Sequence, residues 1–104
     1  EPEEEDESAK PAHTYTFNPL EAQYCVKVGN EYYSQGKYRP AIRRFQEATN
    51  WNPAYAEAYL RLGQASEKIK DAAGAKQAYS KYVELSPDAK NASEIKKKIA
   101  SLKN

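Results

Sequence analysis

"FNPLEAQYCVKVGNEYYSQGKYRPAIRRFQEATNWNP", residues 17–53, begins and ends on the same signal. An apolar residue, Asn and Pro stand at 17–19 and again at 51–53, and "LSP" follows at 85–87. Pro19, Pro53 and Pro87 are therefore 34 residues apart each time. Asn and Ser carry a short side-chain oxygen that accepts from an orphan N–H of a helix's first turn. Proline suits the next position, where its missing N–H is not needed and its φ already fits. The apolar residue in front can pack back on the first turn as a staple, and Glu21 stands three residues past Asn18, as a capping box requires. Each triplet is expected to open a helix.

The same interval runs through the rest of the chain. Val28-Gly29 returns as Leu62-Gly63, Ala41 as Ala75 and Phe45 as Tyr79. Ala22, Val26 and Lys27 return as Ala56, Leu60 and Arg61. A recurrence that keeps size class at so many positions is an internal repeat. Within one period, residues 19–35 place Ala22, Val26, Gly29, Tyr32 and Tyr33 at helical spacing until Gly36 breaks the run. Residues 38–51 place Ala41, Ile42, Phe45, Ala48 and Thr49 on one face of a second helix, with Pro40 tolerated in its first turn. The second period repeats the scheme, Asp71 standing as a cap for its second helix. Gly29 with Ala41, and Gly63 with Ala75, let two antiparallel helices approach closely, while Phe45 and Tyr79 fill the space beside the crossing. Glycine inside a helix costs about 0.8–1.0 kcal/mol relative to Ala, so its use twice at one phase points to packing.

These residues resemble the tetratricopeptide repeat family. Its pattern is met in the first repeat by Cys25, Val28-Gly29, Tyr32, Gly36-Lys37-Tyr38, Ala41, Phe45, Ala48 and Pro53. In the second it is met by Tyr59, Leu62-Gly63, Ala75, Tyr79 and Pro87, with departures at Ser66, at Tyr82 and in "IKDAAG". The expected fold is all-α: two tandem antiparallel helix hairpins, about 19–52 and about 53–86, closed by a solvating helix at about 87–103. In that last helix Ala92, Ile95, Ile99 and Leu102 form one apolar stripe. Lys97 takes the glycine phase there, as expected of a helix that needs no partner packed at that crossing. The domain is expected to span 18–104, behind an acidic disordered tail or linker at 1–17.

Composition narrows the function. Residues 1–10 hold six acidic residues and one Lys, too little apolar surface to order themselves. The remaining 94 hold 15 basic and nine acidic residues. No apolar run approaches the ~18 residues of a membrane span, and no signal peptide is visible. Cys25 is the only cysteine and sits at a large-apolar position of the repeat, so a buried packing role outweighs a nucleophilic one. His13, the only histidine, falls in the expected tail, and the four glycines are scattered rather than gathered in a phosphate loop. The chain is therefore expected to be no enzyme, to need no cofactor or metal and to take no small-molecule substrate. Arg39, Arg43 and Arg44, and Lys96 to Lys98, are basic clusters that a solvated helix face explains at least as well as nucleic acid does, and the acidic start opposes the latter.

The resemblance implies a concave surface lined by the first helix of each unit, suited to an extended or helical peptide segment of a protein partner. Its expected contacts are Val26, Lys27, Asn30, Tyr33, Leu60, Arg61, Gln64 and Lys68. Lys27 and Arg61 would supply charge there, and Val26, Tyr33 and Leu60 apolar contact. Only Asn30 fits the arrangement by which relatives clamp a terminal carboxylate, Val26 standing where a Lys is expected, so no such clamp is assigned. The chain is expected to be an interaction module, a scaffold or adaptor. The alternative is a structural repeat that self-associates or tethers a larger assembly, its groove filled by a neighbour. The acidic spacer and "YVELSPDAKNASEIKKKI" resemble segments of bacterial envelope proteins, which leans localisation toward the envelope or periplasm, with the cytoplasm as the other option.

Overall fold

Asn18 caps the first helix as its side chain predicts: in the computed structural model, which describes residues 15–103, Asn18 Oδ1 accepts from the Glu21 N–H at 3.0 Å. Pro19 follows at the first helical position, and α1 runs Pro19–Ser34. The other half of the capping box is not made, because the Asn18 N–H donates to the Trp51 carbonyl at 3.0 Å instead. Nor does Phe17 act as a staple, being 71% exposed. Helix α2 spans Tyr38–Trp51, α3 Ala56–Lys68, α4 Ala72–Leu85 and α5 Ala92–Ser101. The fold is all-α, built of two helix hairpins and a closing helix.

The second and third triplets do a different job from the first. Asn52 ends α2, its N–H donating to the Ala48 carbonyl at 2.9 Å, and its side chain accepts from Ala54 at 3.2 Å. Ser86 likewise ends α4 on the Tyr82 carbonyl. Only after a turn do α3 and α5 begin, at Ala56 and Ala92. Both triplets follow directly on a helix, so the chain must reverse first, and Pro53 and Pro87 are where the old helix cannot continue. Residues 15–17 carry no helix, which leaves Asn18 free to open one.

Both hairpin turns close with the same paired bonds. At Gly36, φ is +78°, and Lys37 and Gly36 donate back to Tyr32 and Tyr33. At Lys70, φ is +64°, and Asp71 and Lys70 donate to Ser66 and Glu67. This is the left-handed helix ending that glycine adopts without strain and other residues do not. Asp71 then caps α4 through the Gly74 N–H at 2.9 Å.

The hairpins interlock through glycine. A Cβ on Gly29 would stand 2.5 Å from Phe45 Cε1, and one on Gly63 would stand 2.5 Å from Tyr79 Cε1. Phe45 and Tyr79 are buried there, Phe45 among Ala22, Cys25, Ala41 and Ala48, and Tyr79 with Ala75, Tyr82 and Ile95. Helix α2 packs on α3 as α4 packs on α5, while α1 also approaches α3. Among the described residues no backbone approach joins α5 to α3, so these two helices diverge and leave a space between them.

The expected tail, 1–17, lies mostly outside the described residues, as does His13. Its inner end belongs to the packed domain: the ring of Tyr15 meets Trp51 edge-on, centroids 4.7 Å apart at 85°. No described helix is long and apolar enough to cross a membrane.

Candidate functional site

The divergence of α3 and α5 opens a cavity of about 750 Å3. Tyr33 comes to it from α1, Gln64, Glu67 and Lys68 from α3, and Asn91, Glu94, Ile95 and Lys98 from the start and body of α5. Tyr79 of α4 reaches it from below. The repeat explains the choice of side chains. Tyr33 and Glu67 are one period apart, as are Gln64 and Lys98, all four lining the cavity. The closing helix therefore continues the concave wall and does not only shield the core.

Glu67 is the hub. The buried Tyr79 hydroxyl donates to its Oε1 at 2.7 Å, and Lys98 Nζ donates to the same oxygen at 3.4 Å. Burial first, then the bond to Glu67 and its charge, push the Tyr79 phenol far above its ordinary range, so it remains a donor at every physiological pH. On the α1 side, Tyr33 meets Tyr38 edge to face with centroids 5.2 Å apart, and Lys68 Nζ lies 5.9 Å from the Tyr38 ring centre. That distance is within the reach of a cation–π attraction.

Of the eight residues expected in the groove, Tyr33, Gln64 and Lys68 line this cavity. Asn30 occupies on α1 the phase of Gln64 on α3 and is half-buried. Arg61 lies at the rim, donating to Glu57 at 3.3 Å and to Gln64 at 3.4 Å. Lys27 is exposed on α1 and does not line the cavity. Val26 and Leu60 were expected to offer apolar contact, and both point elsewhere. Val26 is 4% exposed, inside the core with Ala58 and Phe45. Leu60 packs against the cluster of Tyr79, Tyr82 and Ile95. Their shared phase is turned into the two core clusters, Val26 together with Ala58 of α3 and Leu60 against a cluster formed mainly by α4.

A second cavity, of about 490 Å3, lies among α2, α3 and α4, with Ile42, Leu62, Ser66 and Ala78 in its wall. Leu62 packs on the first core cluster and Ser66 and Ala78 are buried, so the floor of this seam between hairpins is core, while Gln46, Gln77, Lys81 and Glu84 form its polar rim. The basic pair on the outer layer also resolves differently from its expected solvated face. Arg44 is buried, 3.5 Å from Glu47 and 3.5 Å from the Cys25 sulfur. Burial, then the Glu47 charge, raise the Cys25 thiol to about 11, Arg44 opposing them in part. A thiol so placed is an inert packing group at neutral pH.

Comparison with known sequences bears on the same residues. A family model described as TPR repeat matches residues 29–69, and one described as tetratricopeptide repeat matches 56–89. Together they run from 29 to 89, which is 61 of 104 residues. No curated protein matches the chain.

Proposed function

The chain belongs to the tetratricopeptide repeat family, whose repeats mediate protein–protein interaction, and on that premise we propose that it holds a peptide segment of a partner protein in its concave groove. The carrying observation is the cavity between α3 and α5, where side chains of the first-layer helices α1, α3 and α5 converge around the tethered Glu67. A polar, partly preordered wall of this kind recognises an extended or helical segment through a few fixed groups. Tyr33, Gln64 and Lys68 form its core, Asn30 and Arg61 extend it along α1 and α3, and Asn91, Glu94 and Lys98 supply the far wall. The domain acts as a scaffold or adaptor without chemistry of its own.

Chemical-shift mapping tests this directly. Peptides selected from a random library against the intact domain should perturb the amides of Tyr33, Gln64, Lys68 and Ile95 on titration. Perturbations confined to Ile42, Gln46, Gln77 and Lys81 would move the site to the seam among α2, α3 and α4.

A further inference from the structure

Charge is not spread evenly through the groove. At its α1 end Lys68 holds its ammonium over Tyr38, whose ring is braced edge-on by Tyr33. In the middle Glu67 is already answered, by the Tyr79 hydroxyl and by Lys98. At the α5 wall Glu94 stands exposed. Among the described residues neither Lys68 nor Glu94 takes part in an ion pair, whereas Glu67 and Lys98 do. The cavity therefore presents a cation at one side, an internally compensated centre lined by Ile95 and Tyr33, and a carboxylate at the other.

We infer that the groove selects a partner segment of matching polarity: an acidic side chain toward Lys68, an apolar side chain at the centre and a basic side chain toward Glu94. This rests on the peptide-binding reading above and adds the chemistry of the peptide to it. The compensated centre is what gives the pattern its sense. A basic group beside Glu67 would stand against the Lys98 ammonium and an acidic one against the Glu67 carboxylate, whereas an apolar group lies against Ile95 and the Tyr33 ring and meets neither charge. Opposite charges at the two ends fix the direction in which the segment crosses α1, α3 and α5, and they reject the reversed segment by setting like charges together. Both ends are solvated, so the discrimination comes as much from repulsion of the wrong partner as from attraction of the right one.

Charge-swap complementation provides the test. Peptides selected from a random library against the wild-type domain should carry one acidic and one basic residue flanking an apolar one. Lys68→Glu should weaken such a peptide about tenfold, and changing the peptide's acidic residue to Lys should restore binding to that variant. Glu94→Lys should be rescued only by changing the peptide's basic residue to Glu. Both substitutions are at exposed positions, and unchanged far-ultraviolet circular dichroism would confirm that the fold survives. Peptides that shift the groove amides yet lack the charge pair, or that rescue neither variant, would overturn the polarity while leaving groove binding intact. Peptides that shift no groove amide would overturn both.

Discussion

A Cβ on Gly63 would lie 2.5 Å from Cε1 of Tyr79, closer than any real side chain is tolerated. Gly63→Leu should therefore force the α3–α4 hairpin apart. Overpacking of a close crossing costs about 1–3 kcal/mol or more. The neighbouring Gln64→Leu faces the cavity and should cost well under 1 kcal/mol. Urea midpoints of the two variants measure the difference, and equal midpoints would refute the crossing.

Lys70 is the only described non-glycine residue with positive φ, and it sits where the first hairpin has Gly36. The left-handed conformation costs an L-residue roughly 1–2 kcal/mol. Lys70→Gly should recover part of that, less the entropy glycine gains in the unfolded chain, for a net gain of about 0.5–1 kcal/mol. Gly36→Lys should lose a similar amount. Thermal melts followed at 222 nm read both, and a drop on Lys70→Gly would show that the lysine side chain holds the turn.

Much of this was legible in the chain. Gly29 with Phe45 and Gly63 with Tyr79 repeat at one phase because a close crossing demands a small residue on one helix and a flat ring on the other. Other features were hidden by context that a phase does not carry. "WNP" and "FNP" are near-identical locally, yet Asn52 ends a helix and Asn18 opens one, because only the former follows a helix. Val26 and Leu60 share a phase beside that of the groove residues, and only the packing shows that this phase is turned into the two core clusters. The wall formed by Asn91, Glu94 and Lys98 was recoverable by extending the period once more into the closing helix.

Tyr15 marks how far the domain reaches toward its start. An edge-to-face aromatic pair contributes about 0.5–1.5 kcal/mol beyond its buried area. Removal of residues 1–14 should leave the melting midpoint within a degree or two, whereas Tyr15→Ala should lower it by several degrees and shift the emission of Trp51, the sole tryptophan. No effect of Tyr15→Ala would place the boundary at Asn18.

The buried thiol gives a pH signature of definite sign. Burial and Glu47 raise Cys25 from 9.0 to about 11 in the folded chain. Below pH 9 both states hold the proton and the group is silent. Between pH 9 and 11 the unfolded thiol ionises and the folded one does not, so stability falls by an amount on the order of 2–3 kcal/mol. In Cys25→Ala that part of the slope should vanish, although the variant starts less stable because of its cavity. Urea titrations at pH 8.5, 9.5 and 10.5 compare the two, and parallel slopes would mean that the thiol is reachable by solvent.

The working face of the domain can be identified by where charge matters. On the concave side, Lys68 and Gln64 project into the cavity between α3 and α5. In the seam among α2, α3 and α4, Lys81 and Gln77 line the smaller cavity. Exposed charges of this kind contribute about 0.2–1 kcal/mol each, and reversal replaces an attraction with a repulsion. Lys68→Glu with Gln64→Glu should therefore weaken a groove-bound peptide by about 1–2 kcal/mol, or 5- to 30-fold. The loss should shrink as salt is raised from about 0.05 to 0.5 M, because these groups are solvated and screened. Lys81→Glu with Gln77→Glu should change affinity less than twofold. Lys81 lies 3.7 Å from Glu84, so its reversal also breaks an exposed i,i+3 pair. That loss is small, and circular dichroism should not register it. Isothermal titration at the two salt concentrations separates the outcomes. A large loss from the Gln77 and Lys81 variant, with none from the Gln64 and Lys68 variant, would mean that the seam holds the partner.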